Sequence, residues 1–248
     1  MTDFTSVRPS SFLRLRQEGR TEEVTRRLIE MIDLGMFAEG QQLPSETELS
    51  LQLGVATVTL RDALAELRER GVIETRRGRN GGSFVCSPPD IATELLLQRL
   101  RQLSSLALRD LGDELMAISG AAARLAAQRA AEQQHAQLQL YIEALAHSSN
   151  RQERRRADAR FHIEVAVAAQ SVRLTRAEMR LQAEISDLLW IDHLDFPDAA
   201  AMAAEHQSIL DAIVEADADV AGSLAEGHIN RSIKRLIGLR LQLLAEEK

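Results

Sequence analysis

The sequence predicts a mainly α chain in two parts: a small unit closed by a β-hairpin, then an all-α antiparallel helical bundle. Three observations predict it. Leu, Ala, Glu and Arg are plentiful while aromatics are only 3% of the 248 residues, a composition that favours helices. Two short amphipathic segments, each closed by a glycine, precede a pair of β-type runs around "GRNGG". From Ile91 onward no convincing strand pattern occurs, and apolar residues recur at helical spacing between short breaks.

Residues 1–20 read as a loose arm, with Pro9, three serines and scattered arginines. A helix is expected over 21–37, with Val24, Leu28, Met31 and Ile32 on one face and Thr21 with Glu23 as a start signal. Two glycines and a proline in "GMFAEGQQLP" break it. Ser45 followed by Glu48 is a capping-box pattern, Leu49 and Leu53 give one apolar face, and Gly54 ends that helix. In "VATVTLRDALAELRERG", Leu60, Ala63, Leu64 and Leu67 share a face and Gly71 is the C-cap. Two helices joined around a glycine form a helix-turn-helix signature. The runs "VIETRR" and "SFVCS" then make a hairpin, expected to take positive φ at Asn80, Gly81 and Gly82, so the hairpin is a wing. "SPPD" is a natural linker. The remaining helices are expected near 91–103, 109–131, 133–148, 151–170, 173–193, 198–216 and 217–246. Domain boundaries follow: an arm at 1–20, a winged helix-turn-helix at 21–87, a linker at 88–91 and a helical domain at 92–248.

Charge narrows the function classes. The chain carries a formal −7, yet residues 76–89 hold three arginines and no acid. A local cationic, glycine-rich loop on an acidic chain suits a phosphate backbone or a narrow minor groove, with the remainder held away from the polyanion. One cysteine, Cys86, excludes an intrachain disulfide. No run of about 18 apolar residues and no apolar N-terminal segment occurs, so neither a membrane span nor a secretory signal is expected, and a cytoplasmic location fits.

The segment "LPSETELSLQLGVATVTLRDALAELRERGVIETRRGRNGGSFV", residues 43–85, resembles the GntR family of bacterial transcription regulators. The helical remainder resembles the FCD ligand-binding domain of the FadR-type subgroup. The resemblance implies double-stranded DNA with an inverted-repeat operator as partner, a homodimer, and a small effector, typically a carboxylate. It places DNA contacts at Thr47, Thr57, Thr59, Arg61, Arg77, Arg79, Asn80, Gly81 and Gly82. Many relatives have arginine where this chain has Thr47 and Thr57, so their operators do not transfer.

Metal-binding FCD domains carry an Asp-x-x-x-His pair on one helix and single histidines on two later helices. Here "DARFH" supplies Asp158 and His162, "EHQSILDAI" supplies His206 and "AEGHI" supplies His228. The spacing also makes chemical sense by itself. Residues four apart share a helix face, and a bundle can bring three helices around one cation. One carboxylate and three imidazoles suit Zn²⁺ first, with Ni²⁺, Mn²⁺ or Fe²⁺ as alternatives. His135, His147 and His193 fall outside this pattern and read as surface or helix-end residues.

Relatives often hold the effector carboxylate with an arginine near the positions of Leu115 and Met116, which this chain lacks. Arg109, Arg173 and Arg176 are possible substitutes, none preferred. The expected function is a DNA-binding transcription repressor, not an enzyme, whose helical domain binds a divalent cation and a small anionic metabolite. The competing readings are a metal-dependent hydrolase using the His/Asp cluster with Glu205 as general base, and a regulator that senses the metal directly.

Overall fold

The computed structural model describes residues 19–78, 81–86, 91–192 and 198–246. The described residues of 19–29 and 39–86 form one compact unit, and those of 30–38 and 91–246 form the other. Apart from Gly19, Arg20 and Ile91, the expected arm and linker lie outside the described residues.

The first unit contains the start of α1 (Arg20–Asp33), α2 (Glu46–Leu53), α3 (Thr57–Glu69), β1 (Ile73–Arg76) and β2 (Gly82–Val85). Helix α1 ends earlier than residue 37 because Gly35 turns the chain at φ 71°. At the start of α2 the capping box forms. The Glu48 N–H donates to Ser45 Oγ at 3.3 Å, and the Ser45 N–H donates to Glu48 Oε2 at 2.9 Å. Gly54 then takes the left-handed conformation that closes the helix. Val24, Leu28, Leu43, Leu49, Leu60, Leu64, Leu67, Ile73 and Val85 make the core. Each such aliphatic side chain contributes roughly 1.5–3 kcal/mol by leaving water. The strands pair antiparallel, Ile73 opposite Val85 and Arg76 opposite Gly82. A third segment joins them: Gln42 bridges Phe84, and the Leu43 N–H donates to the Ser83 carbonyl at 2.9 Å.

The second unit is a helical bundle of α4 (Thr93–Gln102), α5 (Ser105–Arg129), α6 (Glu132–Ala146), α7 (Arg151–Ala168), α8 (Val172–Leu189), α9 (Ala199–Val214) and α10 (Ala218–Glu246). Helix α5 starts four residues before the expected 109 because Ser104 caps it, accepting from the Ala107 N–H at 3.0 Å. Asn150, Ser171 and Asp198 cap α7, α8 and α9 in the same way. The long helices α5 and α10 pack along each other, closely enough that a Cβ on Gly112 would meet Ile233 at 2.9 Å. Among the described residues two large apolar clusters fill the bundle, and a small third one joins Leu34 to Ala159 and Ile163. One centres on Phe161, Leu138 and Ile209, the other on Leu100, Leu115, Leu181 and Leu236. Among the described residues no helix is long and apolar enough to cross a membrane.

Candidate metal centre and nucleic-acid interface

Four buried side chains converge in the bundle. Asp158 and His162 project from one face of α7, His206 from α9 and His228 from α10. One ligand atom from each lies within 4.8 Å of the others. His162 Nε2 is 3.9 Å from Asp158 Oδ1, and His206 Nε2 is 3.4 Å from the same oxygen. A cation with bonds of about 2.1 Å separates its ligand atoms by roughly 3.4 Å when tetrahedral and up to about 4.2 Å across an octahedron. A pair at the full spread of 4.8 Å would have to close by about half an ångström across an octahedron and by about 1.4 Å around a tetrahedral cation.

The donor set fits a cation. Asp158 Oδ1 and both ring nitrogens of His206 are buried and have no hydrogen-bond partner among the described residues. Burial pushes the Asp158 carboxyl up, opposed by the charge of His228, the nearby Trp190 indole and the charge of Arg235. Burial also holds His162 and His206 well below the ordinary imidazole range, helped by the charge of His228. A neutral imidazole keeps the lone pair that a ligand must offer. Phe161 stacks on His206 at 4.0 Å between ring centroids and fixes its plane.

Glu205 has a role that sequence alone did not assign. Its Oε2 accepts from His228 Nδ1 at 2.7 Å and from Arg231 Nη2 at 2.9 Å. These bonds, that from His228 foremost, hold its carboxyl down at about 2. An ionised carboxylate only accepts, so Nδ1 of His228 carries the proton of this bond and Nε2 is the nitrogen left to face a cation. A carboxylate so far from neutral and so engaged makes a poor general base, which removes the residue that the hydrolase reading needed. We expect Glu205→Gln to weaken zinc affinity about 10–100-fold, measured by competition with a chromophoric chelator. Unchanged affinity would show that Glu205 does not orient His228.

None of the three candidate effector arginines is buried: Arg109, Arg173 and Arg176 are all exposed. Arg235 on α10 is different. It is half-buried, close enough for its charge to act on Asp158, and bonded to Ser232 Oγ at 2.9 Å and Met202 Sδ at 3.4 Å. It has no carboxylate partner among the described residues. Leu115 is buried and Met116 packs on the second apolar cluster, so the usual arginine position is apolar here. Among the other histidines, His147 is the exposed C-cap of α6, its Nδ1 2.8 Å from the Glu143 carbonyl. His135 is half-buried, and His193 lies outside the described residues.

In the first unit, Thr57 and Thr59 lie in the first turn of α3, and Thr47 is exposed on α2. Arg61 is exposed but ion-paired with Glu46 at 2.6 Å. An exposed pair of this kind is worth about 0–1 kcal/mol, so a phosphate or base edge can displace it. Arg76 is occupied by Glu74 and the Phe84 ring, whereas Arg77 is exposed with no ion pair among the described residues. Arg79 and Asn80 lie outside the described residues. The turn differs from expectation. Gly82 takes a positive φ, 158°, as expected, but Gly81 does not, and Gly78 carries one at 118° instead. Gly81 instead needs to lack a side chain because a Cβ there would meet the Arg76 carbonyl at 2.6 Å.

Comparisons with known proteins agree with this architecture. The profile described as "Bacterial regulatory proteins, gntR family" matches residues 20–85, and the FCD domain profile matches residues 110–231. A Mycobacterium gastri protein named as the HTH-type transcriptional regulator RmpR is 41% identical over 226 residues, covering 90% of this chain and 82% of its own. An Escherichia coli K12 protein named as an L-lactate dehydrogenase operon regulatory protein is 32% identical, covering 85% of this chain and 83% of its own. The fold is shared with a structure named as a GntR transcriptional regulator from Rhodococcus sp. RHA1, at TM-score 0.50 and 18% identity over 89% of this chain and 99% of that one. With a winged helix-turn-helix followed by an FCD-type bundle, the chain belongs to the GntR family of bacterial transcription regulators.

Proposed function

We propose that this regulator is a homodimeric repressor whose bundle holds a divalent cation, zinc foremost, on Asp158, His162, His206 and His228, with a small carboxylate effector beside it. The observation that carries this reading is the convergence of four buried side chains, three of whose atoms have no hydrogen-bond partner among the described residues. When bound, the cation supplies positive countercharge for a carboxylate. The protein's part is to keep His162 and His206 neutral by burial, to orient His228 through Glu205, and to clamp His206 against Phe161. Arg235 adds a second positive group near Asp158.

In this reading, Thr47, Thr57, Thr59 and Arg61 face the DNA from the two helices, and Arg77, Arg79, Asn80, Gly81 and Gly82 do so from the wing. A dimer doubles these contacts and matches an inverted repeat. The effector changes operator affinity only by the difference between its affinities for the two arrangements of the dimer. Such coupling is typically about 5–150-fold.

Selection of bound DNA from a random pool tests the first half, with an inverted repeat as the expected product. Fluorescence anisotropy on that operator tests the second, with zinc and short carboxylates added separately and together. Release by a carboxylate in the presence of zinc is expected. Release by zinc alone would mark a direct metal sensor instead. Arg77→Ala should weaken binding across sequences and lower the log–log salt slope by about one unit. A slope identical to wild type would place Arg77 off the phosphates.

A further inference from the structure

The hairpin after α3 is anchored in the core only at its root. Ile73 and Val85, opposite each other there, are buried, while Glu74, Thr75 and Arg76 are exposed. A cleft of about 530 Å³ lies between α2, α3 and the outer hairpin, with Leu49, Leu64, Arg68, Thr75 and Gly81 in its lining. The apolar core thus fixes the root, and the outer half is left to polar ties. From α3, Arg68 Nη1 donates to Thr75 Oγ1 on β1 at 3.4 Å. From the loop before α2, Gln42 Nε2 donates to the Gly81 carbonyl at 3.0 Å. Gln42 passes over Gly82 to reach it: a Cβ on Gly82 would stand 2.5 Å from Nε2, so the glycine leaves the path open.

Gly81 in turn touches the residues on both sides of Arg77. Its N–H donates to the Gly78 carbonyl at 2.9 Å, and a Cβ on it would meet the Arg76 carbonyl at 2.6 Å. Gly78 and Gly81 have wide backbone freedom of their own, so a bond that holds Gly81 narrows the conformations open to Arg77. We infer that Gln42 is a positioning residue for DNA binding, which aims Arg77 by holding the Gly81 carbonyl and does not touch the DNA itself. The inference rests on the reading that Arg77 meets the DNA backbone. The main-chain ladder that carries Gln42 does not need its side chain. The Gly40 N–H donates to the Val85 carbonyl at 2.9 Å, the Val85 N–H to the Gln41 carbonyl at 3.0 Å and the Leu43 N–H to the Ser83 carbonyl at 2.9 Å. Removing the amide therefore loosens the outer hairpin and spares the fold.

The test measures full-length protein on its selected operator by fluorescence anisotropy, comparing wild type with Gln42→Ala, Gln42→Met, Arg77→Ala and the Gln42→Met, Arg77→Ala double variant. Methionine keeps nearly the length of glutamine and lacks the donor. Both Gln42 variants are expected to bind about three- to tenfold more weakly, the worth of one hydrogen bond. Their melting temperatures should stay within about 2 °C of wild type, and DNA selection should return the same base preference. Because Gln42 acts through Arg77, the two losses should not add: in the Arg77→Ala background, Gln42→Met should cost less than about twofold. A Gln42 that contacts DNA directly, or that merely supports the fold, would cost the same in both backgrounds. Additive losses, or wild-type affinity in both Gln42 variants, overturn the inference. The two failures are distinguishable. Weak binding by Arg77→Ala beside normal binding by the Gln42 variants sinks this inference alone. Wild-type affinity and salt slope in Arg77→Ala remove Arg77 from the DNA, and the role of Gln42 falls with it.

Discussion

His206→Ala should abolish the thermal stabilisation that zinc confers on the wild-type chain. At free zinc about a hundredfold above Kd, binding to the folded state alone is worth about 2.7 kcal/mol, which corresponds to roughly 5–11 °C in Tm for a protein of this size. His206 is fully buried, both of its ring nitrogens are without a partner among the described residues, and it stands 3.4 Å from Asp158. Removing it takes away one of the four proposed ligands and the ring on which Phe161 stacks. Lost packing lowers Tm in the absence of zinc as well, so the quantity to compare is the zinc-dependent increment and not Tm itself. His228→Ala should behave alike. His135→Ala, on α6 and outside the group, should keep the full increment. A zinc increment retained in His206→Ala would mean that the histidines merely pack in the core.

Glu178→Gln should stabilise the protein at pH 8 and do nothing at pH 4. Burial pushes the Glu178 carboxyl up to about 7, against the hydrogen bonds from Gln182 and Ser119 and with help from the charge of Asp158. Its unfolded value is near 4.5. Below that pH both states are protonated and the group contributes no difference. As pH rises from there to about 7, the unfolded chain releases the proton first, and folded stability falls. Above pH 7 the loss is complete, on the order of 3 kcal/mol at about 1.4 kcal/mol per pH unit. A near-isosteric amide removes the titration, so the gain should grow across that interval and level off above it. Urea unfolding at a series of pH values measures it. A gain independent of pH, or none at pH 8, would contradict the burial argument.

The parts of the fold set by local chemistry were legible in the sequence. Ser45 with Glu48, Gly54 and Gly71 mark helix ends by rules that need only neighbouring residues; the first two act as expected, while Arg70 is the C-cap of α3 and Gly71 supplies the left-handed turn just after it. The His/Asp group was legible for a related reason. A four-residue spacing fixes Asp158 and His162 on one face whatever the bundle does, and three helices then suffice to gather the rest. Long-range facts were not legible. The pairing of Gln42 with Phe84 depends on where the loop after α1 lies. The stripe of Glu178, Gln182 and Ser186 looks in sequence like any solvated helix face, because Arg180 and Glu184 lie among them and are equally polar. Only the packing of α5 and α7 on α8 shows that one polar face is buried. Arg235 was passed over for the same reason, as one arginine in an Arg-rich helix.

Asp158, His162, His206 and His228 are proposed to hold one cation. A zinc K-edge absorption spectrum of the full-length protein, loaded with one equivalent of zinc at neutral pH, tests it most directly. Three imidazole nitrogens and at least one oxygen are expected around zinc, at about 2.0–2.2 Å. A shell of water alone, a sulfur scatterer from Cys86 at about 2.3 Å, or a spectrum with fewer than three imidazoles would contradict it.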